Sequence, residues 1–174
     1  MTKEKILITG GAGYIGSILV EDLLSHNFEV TVYDNFLYSQ NSLGHLCHNT
    51  DLSIEKGDVR DFKKLNNLIK QNDIIIPLAA LVGAPICNFD PVGSKSINHD
   101  SVLKLFESIS NDQKIIMPTT NSAYGAGDEN NYCDETSPLN PISNYAKDKV
   151  LIEEDLRSKE NFISFRLATV FGPS

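Results

Sequence analysis

The amino-acid sequence predicts a doubly wound parallel α/β fold, and three observations support it. Short apolar runs alternate with helix-length segments along the 174 residues, which favours parallel strands with helices on both faces of the sheet. The runs are continuously apolar, as in Ile74-Ile75-Ile76, because parallel strands are buried on both faces. The first run ends in a glycine-rich turn that opens an amphipathic helix. We expect the strand order 3-2-1-4-5-6.

In chain order, strands are predicted at residues 5–9, 28–33, 52–55, 73–76, 114–117 and 162–167, and helices at residues 13–26, 61–70, 91–110 and 143–159. The third helix has a clear start, because Asp90 stands at its N-cap position and Pro91 at its first helical position. We assign residues 1–174 to one domain, a length that is sufficient to bury a core.

The composition argues against several classes of protein. The net charge is −8 and the pI about 4.9, whereas nucleic-acid binders need a basic surface. No apolar run is long enough to span a bilayer, so no membrane partner is expected. Cys47, Cys87 and Cys133 lack metal-ligand spacing, so we predict no metal site and interpret them as reduced thiols. No signal peptide follows Met1, and the expected location is the cytoplasm.

The glycine-rich turn after the first strand has the spacing of a dinucleotide-binding loop in a Rossmann fold. It reads Thr9-Gly-Gly-Ala-Gly-Tyr-Ile-Gly16. Gly10 or Gly11 permits the tight turn, Gly13 lets the backbone approach a pyrophosphate, and Gly16 allows close packing of helix on strand. The pyrophosphate would lie on free amides at the helix N-terminus, near Tyr14 and Ile15. A glycine turn without a ligand is the alternative.

Asp34 follows the second strand, about 20 residues after the loop, where an acid meets the adenosine ribose in this kind of site. Its carboxylate would accept hydrogen bonds from the ribose hydroxyls and repel a 2′-phosphate. This favours NAD over NADP. The alternative is that Asp34-Asn35 simply forms a turn.

Tyr145 and Lys149 are four residues apart on a predicted helix and therefore share a face. That face continues through Ile152 and Leu156, so it points inward. A buried lysine needs a reason, because an unpaired buried ammonium is costly. One reason is to hold a ribose hydroxyl of the cofactor and to lower the pKa of Tyr145. That pKa must fall by about 3 units, or roughly 4 kcal/mol, for the phenol to act as a base near pH 7. A helix-surface pair without function is the alternative.

The fifth strand leads into Pro118-Thr-Thr-Asn-Ser-Ala-Tyr-Gly125. Hydroxyl groups at strand ends are where an α/β sheet places its chemistry. A Thr or Ser here would donate to a substrate oxygen while Tyr145 takes its proton. A loop held by local side-chain to backbone hydrogen bonds is the alternative.

These motifs together resemble the extended short-chain dehydrogenase/reductase family, in particular its nucleotide-sugar epimerases, dehydratases and dehydrogenases. The resemblance covers nearly the whole chain. The matching elements, in the order of the family, are Gly10-x-x-Gly13-x-x-Gly16, Tyr33-Asp34-Asn35, Gly57-Asp58-Val59, Leu78-Ala79-Ala80-Leu81, Asn98, Thr119-Thr120 before Tyr124-Gly125, Tyr145-x-x-x-Lys149 and Arg166-x-x-x-Val170-Phe171-Gly172-Pro173.

The resemblance implies further roles. Asp58 would bond the adenine amino group and Val59 would pack on the adenine, while Ala79, Ala80 and Leu81 would line the cofactor. Thr120 stands at the position of the family's catalytic Ser or Thr. Asn98 would form hydrogen bonds with backbone groups near the cofactor. Its position supports this role, because it shares a predicted helix face with apolar residues, and a buried polar side chain needs hydrogen-bond partners.

Three departures from the family pattern are present. Pro77 stands where family members often have His, and Thr169 stands where they often have Asn. The resemblance implies that the second change alters how the substrate is anchored. Family members also continue well past Pro173. We therefore expect this chain to be the N-terminal part of a longer two-domain enzyme, with the substrate domain absent.

The predicted function is NAD-dependent oxidation at a sugar carbon of a nucleotide-linked sugar, by an epimerase or a dehydrogenase. Tyr145 is the base, Lys149 tunes it and Thr120 polarises the oxygen. Dehydration is disfavoured, because dehydratases of this kind follow the Thr with Asp-Glu, whereas this chain has Asn121-Ser122. The alternatives are a truncated NAD-binding module without activity and a structural dimerisation domain.

The resemblance also implies a homodimer, built from the helices at residues 91–110 and 143–159. Each helix needs a second apolar face besides the one on the sheet. Phe106 with Leu103 offers one on the first helix, and Val150 a thinner one on the second. The remaining polar side chains of the second helix predict a solvated face, and they are Glu153, Glu154, Asp155 and Arg157.

Overall fold

A computed structural model describes residues 2–126 and 132–172 and contains a six-stranded sheet in the predicted order 3-2-1-4-5-6. Every pair of neighbouring strands is parallel. The strands are β1 (Lys5–Thr9), β2 (Glu29–Asp34), β3 (Leu52–Lys56), β4 (Ile74–Pro77), β5 (Lys114–Thr120) and β6 (Phe162–Leu167). The doubly wound fold is thereby confirmed. Pro173 of the C-terminal motif lies outside the described residues.

Six α-helices connect the strands, and they are α1 (Tyr14–Ser25), α2 (Phe62–Ile69), α3 (Ala84–Phe89), α4 (Pro91–Lys95), α5 (Ser101–Glu107) and α6 (Asn144–Leu156). A π-helical segment, Ser96–Asp100, joins α4 to α5, so the long helix predicted at residues 91–110 is present with a widened turn inside it. Asp90 caps α4 through the amide of Gly93, as predicted. Ser143 caps α6 in the same way.

The sheet separates two hydrophobic clusters, and successive residues of β1 belong to opposite ones. Leu7 packs with Ile75, Ile115 and the helices α2, α5 and α6, whereas Ile6 and Ile8 pack with α1. Burial on both faces explains why the strands are continuously apolar. In the part of the chain that the structure describes, no helix has the length and apolar character needed to cross a membrane.

Several sequence predictions need correction. Helix α3 was not predicted, because its six residues carry too few turns for a periodic signal. Strand β5 runs three residues further than expected, through Thr120, because Met117–Thr120 pair with β6.

The predicted dimer contacts are also wrong in detail. Phe106 is buried within the monomer, where its ring meets Phe162 edge-on, and Val150 is buried too. Glu153, expected on the solvated face, is buried and bonded to Arg166. The helical pattern alone could not reveal the partners that β6 supplies, which are Phe162 for Phe106 and Arg166 for Glu153.

Candidate functional site

A cleft of about 830 Å³ lies along the carboxyl ends of the parallel strands. Ligands bind at this edge in doubly wound sheets, where the strand order reverses, here between β1 and β4. The cleft is lined by every predicted site residue except Asn98. The fold thus brings together residues from six separate motifs along the chain.

The glycine loop leaves a set of backbone donors at the start of α1. The helix has no side-chain cap and no acidic residue in its first turn. Within residues 2–126 and 132–172, the amides of Tyr14, Ile15 and Gly16 have no hydrogen-bond acceptor. Free amides at a helix N-terminus are suited to an anion such as a pyrophosphate.

Two glycines are required by the geometry of this loop. Gly10 has φ +73°, and a Cβ there would stand 2.5 Å from the Ala79 nitrogen. A Cβ on Gly16 would stand 2.6 Å from the Gly11 Cα and 2.7 Å from the Gly10 oxygen. The loop therefore packs directly on the segment after β4, and the residues present fit a dinucleotide phosphate.

Asp34 is buried at the end of β2, and its carboxylate holds the turn around the cleft. Oδ2 accepts from the Ala12 amide at 3.0 Å and Oδ1 accepts from the Phe36 amide at 2.7 Å. The turn interpretation of this residue is therefore correct. Because Asp34 also lines the cleft, its remaining lone pairs are available to a ribose.

Asp58 lines the same end of the cleft but already has a cationic partner. The Arg60 guanidinium donates to Oδ1 at 2.7 Å and to Oδ2 at 2.6 Å. These bonds, with a contribution from Asn35, hold the pKa of Asp58 below its ordinary value. Val59 is buried beside it. Sequence reasoning did not anticipate the Arg60 contact.

Asn98 lies behind the wall of the cleft and fixes the loop that follows β4. Its Oδ1 accepts from the Leu81 amide at 2.8 Å, and its Nδ2 donates to the Leu81 carbonyl at 2.9 Å and to the Ser94 hydroxyl at 3.1 Å. The side chain is fully buried. Asn98 thus bonds backbone, as predicted, and holds Ala79, Ala80 and Leu81 along the cleft.

Tyr145 and Lys149 line the cleft from α6, on the face that continues inward through Ile152 and Leu156. Lys149 is 3% exposed, and burial lowers its pKa from 10.5 to about 8. Among the described residues no carboxylate oxygen lies within 4 Å of its Nζ, which lies 5.9 Å from the centre of the Tyr145 ring. Burial raises the pKa of Tyr145, the direction opposite to the one a base requires.

Thr120 ends β5 and lines the cleft with its side chain largely buried. Its hydroxyl oxygen accepts from the Ser122 amide at 3.2 Å, which caps the following 3-10 turn, Asn121–Tyr124. The local backbone bond predicted as the alternative is therefore present, and the hydroxyl hydrogen is left for another acceptor.

The cleft wall includes a loop that sequence reasoning missed. The loop after β2 contributes Leu37, Tyr38 and Gln40, and it has no residue spacing that signals a ligand. Residues 167–170 also line the cleft, and they belong to the C-terminal motif described above. Farther along, the Tyr14 hydroxyl donates to the Gly172 carbonyl at 2.7 Å, so the segment after β6 reaches the glycine loop.

The fold and the site together define a dinucleotide-binding domain with a Thr–Tyr–Lys group beside the cleft. Residues 6–174 match the profile of the NAD dependent epimerase/dehydratase family, and the chain belongs to that family. This finding confirms the resemblance drawn from the motifs.

Individual relatives and solved structures agree with this assignment. The chain is 31% identical over 126 residues to a UDP-N-acetyl-alpha-D-glucosaminuronate decarboxylase of Bacillus cytotoxicus, a match covering 72% of this chain and 39% of that protein. It superimposes on a UDP-N-acetylglucosamine 4-epimerase of Methanobrevibacter ruminantium in complex with UDP-N-acetylmuramic acid, with a TM-score of 0.85, 30% identity and coverage of 99% and 57%. A UDP-glucose 4-epimerase of Thermus thermophilus in complex with NAD gives a TM-score of 0.82, 28% identity and coverage of 93% and 54%.

The chain spans about half the length of the curated relatives that it matches. Other curated relatives carry the names of nucleotide-sugar epimerases and dehydratases.

Proposed function

We propose that this protein binds NAD and oxidises a sugar carbon of a nucleotide-linked sugar, as an epimerase or a dehydrogenase. The observation that carries the proposal is Lys149, a buried ammonium that lines the cleft beside Tyr145 with no carboxylate partner among the described residues. Burying an unpaired ammonium costs free energy, and ionisable groups with strongly shifted pKa values cluster at functional sites. The names of the relatives point to UDP-linked sugars as substrates.

The residues that would hold the dinucleotide are spread along the cleft. The amides of Tyr14, Ile15 and Gly16 would bind the pyrophosphate, Asp34 the adenosine ribose, and Asp58 with Val59 the adenine. The buried carboxylate of Asp34 would repel the negative charge of a 2′-phosphate, which supports NAD over NADP. When bound, the nicotinamide supplies the hydride acceptor.

The chain's own side chains would manage the proton. Tyr145 accepts the proton of the sugar hydroxyl as the hydride leaves the same carbon, and the Thr120 hydroxyl donates to that oxygen. With a pKa of about 8, Lys149 is largely protonated at pH 7, and its charge favours the tyrosinate. For Tyr145 to act as a base, this lowering of its pKa must be larger than the increase that burial causes.

Two other functions compete with this one. Dehydration needs an acid and a base beside the sugar, and the residues after Thr120 are Asn121 and Ser122, neither of which titrates usefully. The other is a binding module without activity, which would hold the dinucleotide and oxidise no sugar.

We further propose a homodimer and a cytoplasmic location. With Phe106 and Val150 buried in the monomer, the apolar contacts of a dimer through α5 and α6 must come from side chains such as Leu151, which is 45% exposed. A Leu151→Glu variant that sediments like the unmodified dimer would contradict this interface.

The three cysteines are free thiols, the state that a reducing compartment maintains.

The test is product analysis by NMR after incubation with NAD and a panel of UDP-, dTDP- and GDP-linked sugars. An epimerised sugar, or an oxidised sugar formed with NADH, supports the proposal. A 4-keto-6-deoxy product contradicts the choice against dehydration. NAD binding without turnover of any sugar contradicts the enzyme and supports the binding module.

A Tyr145→Phe variant provides the decisive comparison, because it removes only the hydroxyl. The matched control is Tyr132→Phe, at a fully exposed position. The proposal predicts that the first variant loses turnover and that the second turns over as the unmodified protein does.

A further inference from the structure

A largely buried ion pair involves Glu153, four residues after Lys149 on α6, and the proposed mechanism does not use it. Arg166 on β6 donates from Nε and Nη2 to Oε2 of Glu153 on α6, at 2.9 and 2.8 Å. The side chains are 15% and 7% exposed. The contact with Glu153 raises the pKa of the Arg166 guanidinium above its ordinary value, so the guanidinium stays charged.

Two further side chains complete this cluster of Glu153, Arg166, Thr119 and Tyr124. The Thr119 hydroxyl donates to Oε1 of Glu153 at 2.5 Å, and Nη1 of Arg166 donates to the Tyr124 hydroxyl at 3.0 Å. The guanidinium also lies 5.2 Å from the centre of the Tyr124 ring. The cluster therefore joins α6, β5, β6 and the 3-10 turn after β5.

Two members of the cluster, Glu153 and Thr119, are near neighbours in sequence of groups in the proposed reaction. Glu153 lies four residues after Lys149, which lies four residues after Tyr145, so the three follow one face of α6. Thr119 directly precedes Thr120, and side chains of successive strand residues point to opposite faces. Thr119 thus points toward α6 and donates to Glu153, and both threonines contribute to the lining of the cleft.

Stability alone is a poor explanation for this pair. A buried ion pair commonly contributes no more to stability than apolar side chains of the same volume, because both ions lose their hydration. Unlike apolar side chains, the ion pair makes directional contacts that depend on the relative placement of the two residues. The two-point contact of Arg166 with the carboxylate fixes the position of α6 along its axis relative to β5 and β6.

We infer that Glu153 and Arg166 are positioning residues for the proposed reaction, holding α6 against β5 so that the Tyr145 and Thr120 hydroxyls reach the same sugar oxygen. The inference rests on the proposed function. Neither residue touches the reacting atoms. A misplacement of about 1 Å between reacting groups costs about 100-fold in rate, which sets the expected effect.

The experiment separates positioning from stability with a pair of variants. Glu153→Gln breaks the ion pair and leaves Arg166 without its counter-charge, which we expect to lower the thermal midpoint and kcat. The double variant Glu153→Leu/Arg166→Met removes both charges and is expected to recover the thermal midpoint. We expect its kcat to stay about 100-fold low, with the NAD dissociation constant unchanged within about twofold, because the α1 amides are remote from the cluster. Glu154→Gln, one residue along and exposed, is the control.

Recovery of both midpoint and kcat in the double variant would overturn the inference, because the pair would then serve stability alone. A second readout does not depend on turnover. With 3-fluorotyrosine incorporated and the Tyr145 signal assigned through Tyr145→Phe, the ¹⁹F resonance of Tyr145 should move in the double variant and stay in place in Glu154→Gln. An unmoved resonance also overturns the inference. Absence of turnover in the unmodified protein contradicts the proposed function, and the ¹⁹F result then decides the positioning separately.

Discussion

Replacing Lys149 with Met should make the protein more stable while removing its proposed activity. Burial lowers the pKa of Lys149 from 10.5 to about 8. Each pH unit of that difference corresponds to 1.36 kcal/mol, so keeping the folded protein protonated at this site costs about 3 kcal/mol. Met retains the apolar length of the side chain without the charge. For a chain of this size, about 3 kcal/mol raises the thermal midpoint by about 6–12 °C.

The sign of the effect gives it a specific pH dependence. Below pH 8 the folded and unfolded states both carry the charge, and the folded state bears the full cost. Between pH 8 and 10.5 the folded state loses its proton first, so the unfolded state binds more protons and stability rises with pH. Above 10.5 both states are neutral and the cost is gone. The advantage of Lys149→Met should therefore be complete at pH 7 and fade between pH 8 and 10.5.

The assay is urea unfolding of the two proteins at a series of pH values, with the difference in unfolding free energy plotted against pH. Lys147→Met is the matched control, because this lysine lies on the same helix and is exposed; it should show no such pH dependence. A Lys149→Met protein that is no more stable at pH 7, or a difference that stays flat from pH 8 to 10.5, would refute the reasoning.

Three further outcomes are expected. Gly16→Ala should abolish NAD binding in calorimetric titration and cost about 1–3 kcal/mol of stability, because the new methyl group meets backbone, whereas Gly172→Ala, whose Cβ has no neighbour closer than 3.6 Å, should behave as the unmodified protein. Asn98→Leu should lower the unfolding free energy by about 2–4 kcal/mol, because it leaves both backbone groups of Leu81 without their partner; an unchanged urea midpoint would contradict this. Asp34→Asn should narrow the preference for NAD over NADP by about tenfold, and an unmodified protein that prefers NADP would show the ribose argument to be wrong.

The sheet could be predicted from sequence because its signals are local. Continuous apolar runs, a glycine loop after the first of them and the capping pair Asp90-Pro91 each lie within a few residues of one another. The same locality explains the correct expectation for Asn98, since a polar residue on an apolar helix face must have partners. Here these are Leu81 and Ser94.

The errors arose where the partner is distant in sequence. Glu153 resembles a surface residue because its neighbours are charged, and only Arg166, thirteen residues later on β6, makes it a buried one. Phe106 has the pattern of an outer helix face until Phe162 packs against it. The cleft walls beyond the motifs follow from loop conformations, for which residue spacing holds no signal.

The direction of the Tyr145 pKa is a different kind of discrepancy. The sequence places a cation four residues away, which favours tyrosinate, but it does not show how deeply the phenol is buried. In the folded protein burial prevails and raises the pKa. The proposed base therefore depends on the charge of Lys149 and on the positively charged nicotinamide.

The most direct test of the account is a single-turnover measurement at 340 nm, in which NAD-loaded protein is mixed with a nucleotide-linked sugar from the panel above. We predict that reduced nicotinamide appears with the unmodified protein and forms at least about 100-fold more slowly with Tyr145→Phe, while both proteins bind NAD with the same affinity. Equal rates in the two proteins would contradict the role of Tyr145, and no reduction by a protein that binds both ligands would contradict sugar oxidation itself.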